Sequence, residues 1–543
     1  MNKLKRTFSA MLAFLLMMSC LGMNQFAHAA EKAPGNPDDV TLYPQTPNAE
    51  QASDYTMTIN GKEVFIEDFY KASQARVIHN GQGPLDVTVT VKNPGVKLTT
   101  CDVYPRRADV YPVVDKEAKT VNFTITPEML EDNYQYIISI AGLENIILMV
   151  DAPETDVPDP DSQNVLNVMD VEGVKNDGTK CTEAIQKAID QVGEDPELDI
   201  LYFPDGRYVT GRLEIRHDDV AIYLSSGTLI EGASDAATPE ELAKDYPFGE
   251  TGYGHNDRRN GSVFIQPMGK RELVGDGENG HYEVTPIKNF KLYGRGVIDG
   301  KGREIYSKVG SGNDNQANWI HLFEAKDVDG LIVKDVILRN SSNWCFKLEN
   351  VNNAEVTNLK AINSTDQRYA DGMDMSSVTH AKYNNCMSYS QDDALAIMTL
   401  QLKNETNTGY DGPPQGPTED LTFTNHFGYT DCSAVRIGWD STDIISDLLF
   451  DNCEWVKYDA GGFNIHRLQY DNKYGPITFR NCRWDNADNT GMKTFATCYG
   501  TDGNGFSQGR INAEEIKFEN CIIDGLYQGA FNIQGQTIDK VIF

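Results

Sequence analysis

The fold is decided by a hexapeptide repeat, which reads Leu448-Leu449-Phe450-Asp451-Asn452-Cys453 and returns as Ile477-Thr478-Phe479-Arg480-Asn481-Cys482 and Ile516-Lys517-Phe518-Glu519-Asn520-Cys521. Related segments occur upstream, and the apolar third position of all eight falls at Leu292, Val333, Val356, Tyr383, Phe423, Phe450, Phe479 and Phe518. The intervals between these positions run from 23 to 41 residues. A base period in the twenties, lengthened by insertions, is typical of a parallel β-helix in which each repeat forms one coil.

The repeat predicts a role for each of its positions. The apolar third residue should point inward and stack on its equivalents in adjacent coils. The recurring Asn suits a left-handed backbone or a side-chain hydrogen bond at a tight turn. Four cysteines, Cys386, Cys453, Cys482 and Cys521, occupy one column, where buried thiols are predicted over disulfides. No C-x-x-C pair occurs, so no zinc site is predicted.

The N-terminus has the features of a secretory signal peptide. A basic stretch at 3–6 precedes an apolar run at 11–18, and Ala27-His28-Ala29 offers a cleavage site. This pattern predicts a signal peptide over 1–29 and a secreted protein. Lipoprotein anchoring at Cys20 is the alternative, although the preceding Met17-Met18-Ser19 is a poor lipobox. No later stretch is apolar enough to predict a transmembrane helix.

Composition divides the rest of the chain into segments. The residues after the signal are rich in Pro, Asn, Asp and Ala, and a region of alternating polar and apolar residues follows, which is typical of a small antiparallel β-domain. A Pro- and Asp-rich run then marks a linker. The predicted boundaries are a flexible leader at 30–52, an N-terminal β-domain at 53–151, a linker at 152–162 and the β-helix at 163–543.

The charge balance limits the partners. The chain of 543 residues has a formal net charge of −32. Nucleic acid as a partner is not predicted, because binding it requires clustered Lys and Arg. The same balance mildly disfavours a polyanionic substrate.

A cluster of acids carries the candidate chemistry. Tyr369-Ala370-Asp371-Gly372-Met373-Asp374 is followed by Gln391-Asp392-Asp393, so one coil should bring Asp371 back beside Asp392 and Asp393. Carboxyl groups in a groove suit glycosidic-bond hydrolysis, where one donates a proton and another activates water. Adjacent strand residues point to opposite faces, so the pair can serve one pocket only where the chain bends. Solvated turn acids and a Ca²⁺ site are the alternatives; no metal or cofactor is predicted.

Several further motifs resemble the polygalacturonase-like β-helix superfamily, which includes glycoside hydrolase families 28 and 49. They span residues 165–540, and they imply a right-handed parallel β-helix preceded by a β-sandwich, an all-β fold. The motifs are Asn176-Asp177-Gly178 before a helix with the apolar face Ile185, Ala188, Ile189 and Val192, then Phe203-Pro204-Asp205-Gly206, Leu224-Ser225-Ser226-Gly227-Thr228 and Gly296-Val297-Ile298-Asp299-Gly300.

The site motifs resemble family 49, the dextranase and isopullulanase family, more than family 28. Asp371 and the pair Asp392-Asp393 match the acids of family 28, but Cys432-Ser433-Ala434 stands where that family has Gly-His-Gly. The basic Arg-Ile-Lys segment of family 28, which holds a uronate carboxylate in pectin enzymes, has no clear counterpart. Arg436-Ile437-Gly438-Trp439 is instead similar to the Gly-Trp segment of family 49.

The resemblance implies roles for the acids. Asp392 would protonate the leaving oxygen, and Asp371 and Asp393 would hold and deprotonate the attacking water, with inversion of configuration. The predicted substrate-binding residues are Asp374, Tyr369, Arg436, Trp439, His466 and Trp344, of which the aromatic ones would stack on sugar faces.

The predicted function is therefore a secreted, inverting, endo-acting glycoside hydrolase of a polysaccharide, dextranase-like and directed at a neutral α-glucan. A pectinase-type hydrolase of the polygalacturonase kind is the alternative among enzymes. A β-helix that binds carbohydrate without catalysis is the alternative outside them.

Overall fold

The computed structural model describes residues 35–247, 262–274, 281–309, 319–399, 416–438, 441, 443–466, 473–486, 494–499, 511–525, 529–533 and 537–542. The predicted signal peptide at 1–29, with Cys20, lies outside these residues, and so does Trp439. Among the described residues, no helix has the length and apolar character needed to cross a membrane.

The N-terminal domain is a sandwich of two mainly antiparallel sheets that enclose one apolar core. The first sheet contains Val40–Leu42, Ile66–Glu67, Ala72–His79, Cys101–Tyr104, Gln135–Ile140 and Asn145–Asp151. The second contains Tyr55–Ile59, Lys62–Val64, Leu85–Val91, Val113–Asp115 and Thr120–Ile125. The sandwich begins before the predicted boundary at 53, because Val40–Leu42, inside the expected leader at 30–52, pairs with Ala72–His79.

Two long parallel sheets form the β-helix. The long sheet contains Val165–Asn167, Ile200–Phe203, Leu213–Ile215, Ala221–Leu224, Ser262–Pro267, Ile287–Gly294, Ile320–Lys334, Phe346–Thr357, Met373–Asn384, Leu395–Met398, Thr418–Thr424, Val435–Ile437, Ile445–Asp451, Phe463–His466, Ile477–Arg480, Thr494–Tyr499, Asn512–Glu519, Gly529–Ile533 and Thr537–Ile542. The short-strand sheet contains Asp177–Lys180, Gly206–Thr210, Thr228–Gly232, Val297–Asp299, Ile337–Arg339, Lys360–Ile362, Met387–Ser390, Phe427–Thr430, Glu454–Val456, Arg483–Asn486 and Ile522–Gly525. The hairpin Lys270–Val274 and His281–Thr285 stands apart from both.

Helices are few and short, which agrees with the predicted all-β class. The α-helices are Pro127–Leu130, Thr182–Glu194, Pro239–Asp245 and Gly302–Val309, and the 3₁₀ helices are Pro37–Asp39, Arg106–Ala108 and Val168–Asp170. Thr182–Glu194 is the helix expected from the spacing of its apolar residues. Its face of Ile185, Ala188, Ile189 and Val192 is buried against the core at the first coils.

The predicted inward column is confirmed along its whole length. Its eight residues pair in register from one coil to the next, and all are buried. In its second half the rings of Tyr383, Phe423, Phe450, Phe479 and Phe518 stack with centroids 4.4 to 5.2 Å apart. The repeat therefore predicted both the fold and the pairing register, because each coil offers the same apolar position to the next.

The predicted cysteine column is also confirmed. Cys386, Cys453 and Cys482 are buried, Cys521 is half-buried, and all four are free thiols. Each thiol donates to a carbonyl of the preceding coil, as Cys482 does to Phe450.

The recurring asparagines adopt the left-handed backbone that the sequence predicted. Asn452 has φ of 54°, and its Nδ2 donates to Asn425 Oδ1 at 2.7 Å in the preceding coil. Asn358, Asn385 and Asn481 share this conformation. These residues turn each coil from the long sheet toward the short-strand sheet.

Asn452→Ala should destabilise the protein by about 1–2 kcal/mol more than Asn452→Gly. Both variants lose the hydrogen bond to Asn425, but only alanine suffers the steric cost of a left-handed backbone. Urea denaturation of the two variants measures the difference. Equal destabilisation would show that the backbone conformation contributes nothing at this turn.

The sandwich packs on the outer face of the short-strand sheet. The apolar part of the contact joins Phe69, Tyr104, Ile137, Ile147 and Met149 of the sandwich to Leu229, Val297, Ile337, Ile362, Met387, Phe427 and Val456 of the β-helix. Beside it, the buried Asp151 carboxylate lies 2.9 Å from Lys360 Nζ and 2.8 Å from Arg295 Nη1. The sandwich is thereby fixed against the coils that carry the acid cluster.

Candidate active site

The acid cluster lies where the chain turns from the short-strand sheet into the long sheet, on two successive coils. Asp371 precedes the strand Met373–Asn384, while Asp392 and Asp393 lie between Met387–Ser390 and Leu395–Met398. The Gly372 N–H donates to the Asp393 carbonyl at 2.8 Å, so the two turns stack. One coil therefore brings Asp371 back beside the pair, as the spacing predicted.

The chain bends at the acid pair, and this bend puts both carboxyl groups on one side. One oxygen of Asp392, one oxygen of Asp393 and Cys432 Sγ all lie within 4.8 Å of one another. The bend is held by the Ser390 hydroxyl, which donates to the Asp392 carbonyl at 2.8 Å, and by the Thr430 hydroxyl, which donates to the same carbonyl. The geometric condition for a shared pocket is met.

Asp393 is buried and has two close partners. Arg436 Nε lies 2.9 Å from its Oδ2, and the Ser433 N–H donates to its Oδ1 at 3.1 Å. Burial raises the pKa of the Asp393 carboxyl; the Arg436 charge opposes this effect and the Asp392 charge adds to it. Asp392 differs in being only half-buried, so it is the member of the pair that a substrate can reach.

Asp374 is a buried acid at the centre of the site. It is 1% exposed, and no N–H or hydroxyl group of the described residues donates to its oxygens. Burial raises its pKa well above the usual range, and the nearby charge of Asp393 adds to the shift. A side-chain hydrogen bond connects it with Asp371. Burial and the charge of Asp393 therefore disfavour the ionised form of Asp374, while its hydrogen bond with Asp371 opposes this effect.

A row of polar residues crosses the outer face of the long sheet at this point. Strand register aligns Glu324, Lys347, Asp374, Ala396, Arg436 and Asn464. Lys347 Nζ lies 3.3 Å from Glu324 Oε2 and 2.9 Å from Glu349 Oε2, all three residues being buried. The cations nearest the acids, Lys347 and Arg436, are thus each paired with carboxylates of the protein.

The other predicted binding residues occupy different surroundings. Trp344 is 2% exposed and stacks on the His321 ring at 5.1 Å, so its faces are covered. Tyr369 is half-buried on the loop that leads to Asp371. His466 is buried and lies beside Gly438, two residues along the strand from Asn464 and off the row of Arg436. The structure therefore brings Arg436 to the acids and leaves Trp344 inaccessible for stacking on a sugar.

Cys432, which is not among the predicted site residues, contacts the acids. Its Sγ lies 3.6 Å from Arg436 Nη2. Burial and the charges of Asp393 and Asp392 raise the pKa of its thiol, which stays protonated and hydrogen-bonds to both carboxyl groups. Asn464 is a second unassigned residue, and its Nδ2 donates to Ser433 Oγ at 2.9 Å. Extending the strand register one coil beyond the acid pair would have located Cys432, and a second coil would have located Asn464.

The group of Asp392, Asp393 and Cys432 has donor atoms close enough for a metal ion. Arg436 contacts two of these three side chains. A bound cation would face the guanidinium charge directly. The donor set does not fit a resident metal.

Two segments of the β-helix match family models. Residues 272–412 match Glycosyl hydrolases family 28, and residues 165–274 match Rhamnogalacturonase A/epimerase, pectate lyase-like. No curated protein sequence matches the chain.

Solved structures with similar folds include enzymes of two families. The family 28 exopolygalacturonase of Yersinia enterocolitica is 14% identical, with 84% of this chain and 96% of that chain covered and a TM-score of 0.43. Dex49A from Penicillium minioluteum is 9% identical, with 92% and 91% covered and a TM-score of 0.49. The polygalacturonase of Erwinia carotovora is 13% identical, with 72% and 99% covered and a TM-score of 0.45. The strand pairing shows a parallel β-helix, and two consecutive segments of it are similar to glycosyl hydrolases family 28 and to the rhamnogalacturonase A/epimerase family.

Proposed function

We propose that the protein hydrolyses a neutral polysaccharide with inversion of configuration, and that Asp392 is the general acid. The observation that carries the proposal is the stacking of the two acid turns, with Gly372 N–H bonded to the Asp393 carbonyl. This stacking brings the turn that carries Asp371 against the turn that carries Asp392 and Asp393. Inversion needs an acid and a base on opposite sides of the sugar, with room for water between them.

The surroundings of each acid support a division of roles. Asp392 is half-buried and can reach a glycosidic oxygen. The raised pKa of Asp393 makes it a stronger base while Arg436 favours its ionised form. The hydrogen bond between Asp374 and Asp371 would fix the orientation of the Asp371 carboxyl group. Asp371 and Asp393 would then hold and deprotonate the attacking water.

The paired cations support a neutral sugar, as in an α-glucan such as dextran. A uronate carboxylate is bound by a cation that the protein leaves available. Lys347 forms ion pairs with Glu324 and Glu349, and Arg436 forms an ion pair with Asp393. The proposal includes endo action, in which bonds within a dextran-like chain are cleaved.

A pectinase-type hydrolase is the second candidate. The family 28 match over residues 272–412, which include all four acids, favours it. It requires a cation other than Lys347 and Arg436 to hold the uronate, and the exposed Arg368 on the loop that leads to Asp371 is one candidate.

A polysaccharide panel tests both candidates. Reducing-sugar release is measured on dextran, pullulan, polygalacturonate, xylan and arabinan, and NMR of the first product reports its anomeric configuration. Release from dextran with an inverted anomer and a rapid fall in viscosity is the expected result. Release from polygalacturonate alone would establish the second candidate. Saccharide binding without release, unaffected by Asp392→Asn, would indicate a non-catalytic β-helix.

Cys432→Ala should shift the acid limb of the kcat/KM profile to higher pH. The thiol hydrogen bond lowers the pKa of Asp393, so its removal raises that pKa further, and a base that must be ionised then loses activity at a higher pH. Cys432→Ser retains a donor and should keep the profile of the wild type. Coinciding profiles for both variants would exclude this role of the thiol.

We further propose that the protein is exported, on the basis of the signal-like sequence ending at Ala27-His28-Ala29. N-terminal sequencing of the mature protein distinguishes cleavage after Ala29 from lipid attachment at Cys20.

A further inference from the structure

A cavity of about 530 Å³ lies at the junction of the sandwich and the β-helix. The sandwich contributes residues 139–145, Lys71 and Tyr104, and the β-helix contributes residues from the ends of four short strands and from the segments that follow them. The lining that matters for binding is Tyr104, Tyr389, Tyr429, Lys71, Lys457 and Asp459. The volume is within the ordinary range of small-molecule sites.

The cavity is close to the acid cluster along the chain. Tyr389 precedes Asp392 by three residues, and Tyr429 precedes Cys432 by three. Three residues of extended chain span at most roughly 10 Å. Thr430, next to Tyr429, also donates its hydroxyl to the Asp392 carbonyl. One polysaccharide chain can therefore contact both places.

The wall of the cavity is rigid. The rings of Tyr389 and Tyr429 stack at 4.5 Å with an interplanar angle of 5°. The sandwich fixes this stack, because Asn145 Nδ2 donates to the Tyr389 hydroxyl at 3.1 Å and that hydroxyl donates to the Lys71 carbonyl at 3.3 Å. A preformed wall loses little entropy when a ligand binds.

The charges of the wall are balanced. Lys71 lies 3.1 Å from Glu144, and Lys457 lies 2.8 Å from Asp431. Both lysines are about half exposed, so their remaining donors face solvent and can bind hydroxyl groups. The tyrosine rings are at most 9% exposed, so the polar groups of the wall would make most of the contacts, and polar groups already paired with opposite charges suit an uncharged sugar.

We propose that this junction cavity is a distal subsite for a neutral sugar unit of the same polysaccharide chain that reaches Asp392. The sandwich then contributes directly to substrate binding, in addition to packing on the β-helix. The inference rests on the proposed hydrolysis of a neutral polysaccharide. Its ligand class is a neutral hexose unit within an oligosaccharide.

The test fills the cavity without touching the core. Ala141 lines the cavity and is exposed, so Ala141→Trp adds an indole at its mouth. Ala118→Trp is the matched control, since Ala118 is an exposed turn residue of the sandwich away from the cavity. Both changes are made in the full chain carrying Asp392→Asn, and affinity electrophoresis in gels containing dextran or polygalacturonate gives Kd without hydrolysis.

Ala141→Trp should weaken binding to dextran about 10-fold, while Ala118→Trp leaves it unchanged. In the active chain, Ala141→Trp should also lower the ratio of kcat/KM for isomaltoheptaose to that for isomaltotriose, because only the longer chain reaches the cavity. Equal Kd for both tryptophan variants would overturn the subsite, as would the absence of retardation by dextran. Retardation by dextran that Ala141→Trp removes, in a protein whose wild type releases no sugar, would support the subsite and refute the hydrolysis.

Discussion

Asp392→Asn should lower the rate of polysaccharide hydrolysis by about 10³–10⁴-fold, with little change in substrate affinity. Asparagine has nearly the shape of aspartate but cannot protonate the leaving oxygen, and general acid catalysis contributes on this order. The half-buried Asp392 side chain accepts a hydrogen bond from the Asp393 N–H, which the amide oxygen of asparagine can also accept, so the fold should be retained. Initial rates at saturating substrate measure the loss.

A substrate with a good leaving group separates proton donation from other roles. An aryl glycoside of the sugar found in the panel needs no general acid, so Asp392→Asn should hydrolyse it far faster, relative to wild type, than it hydrolyses the polymer. Asp366→Asn is the control, because Asp366 is an exposed acid of the preceding loop that pairs with Arg303. Comparable loss in the two variants, or equal loss on both substrates, would contradict the role of Asp392.

Asp151→Asn should lower the apparent free energy of unfolding by about 3–5 kcal/mol, because it removes the buried carboxylate that Lys360 and Arg295 share. Asp151 is 2% exposed, and its carboxylate lies between Lys360 and Arg295 of the β-helix. The loss should appear as undocking of the sandwich. Urea denaturation followed by tryptophan fluorescence and by limited proteolysis at the linker reports both events.

The control for this change is Asp156→Asn. Asp156 is a partly exposed linker acid that pairs with Lys334 at 3.1 Å, and a pair of this kind contributes about 1 kcal/mol or less. A loss in Asp151→Asn no larger than that of the control would contradict the structural role of Asp151.

The same carboxylate gives the stability a pH dependence. Burial opposes its ionisation, but Lys360 and Arg295 outweigh this effect and lower the pKa of Asp151. A lowered folded pKa adds stability that is fully present above the unfolded value of about 3.9 and is lost as pH falls toward the folded value. The wild type should therefore lose stability below about pH 4 more steeply than Asp151→Asn does.

The sequence predicted the β-helix well because its signal is repeated. Eight equivalent apolar positions specify both the coil and the register, and the left-handed asparagines mark its turns. The start of the sandwich was harder to predict from the sequence. Val40–Leu42 is a strand of three residues that pairs with a partner more than thirty residues away, and so short a segment shows no periodicity.

Within the site, the position of the acids could be predicted but their surroundings could not. Spacing of one coil placed Asp371 beside Asp392 and Asp393. The burial of Asp374 depends on its neighbours in the long sheet, and the pairing of Lys347 with Glu324 and Glu349 joins residues of different strands. The exposure of Trp344 likewise depends on the ring of His321 beside it. Such contacts arise only after the coils have stacked.

The docked sandwich changes how the β-helix can unfold. In an isolated solenoid each coil contacts only its neighbours, so unfolding can begin at an end and proceed one coil at a time. Here one domain touches coils from Leu229 to Val456 across a single apolar interface. Those coils are tied into one cooperative unit, and their amide protons should therefore exchange at a common rate.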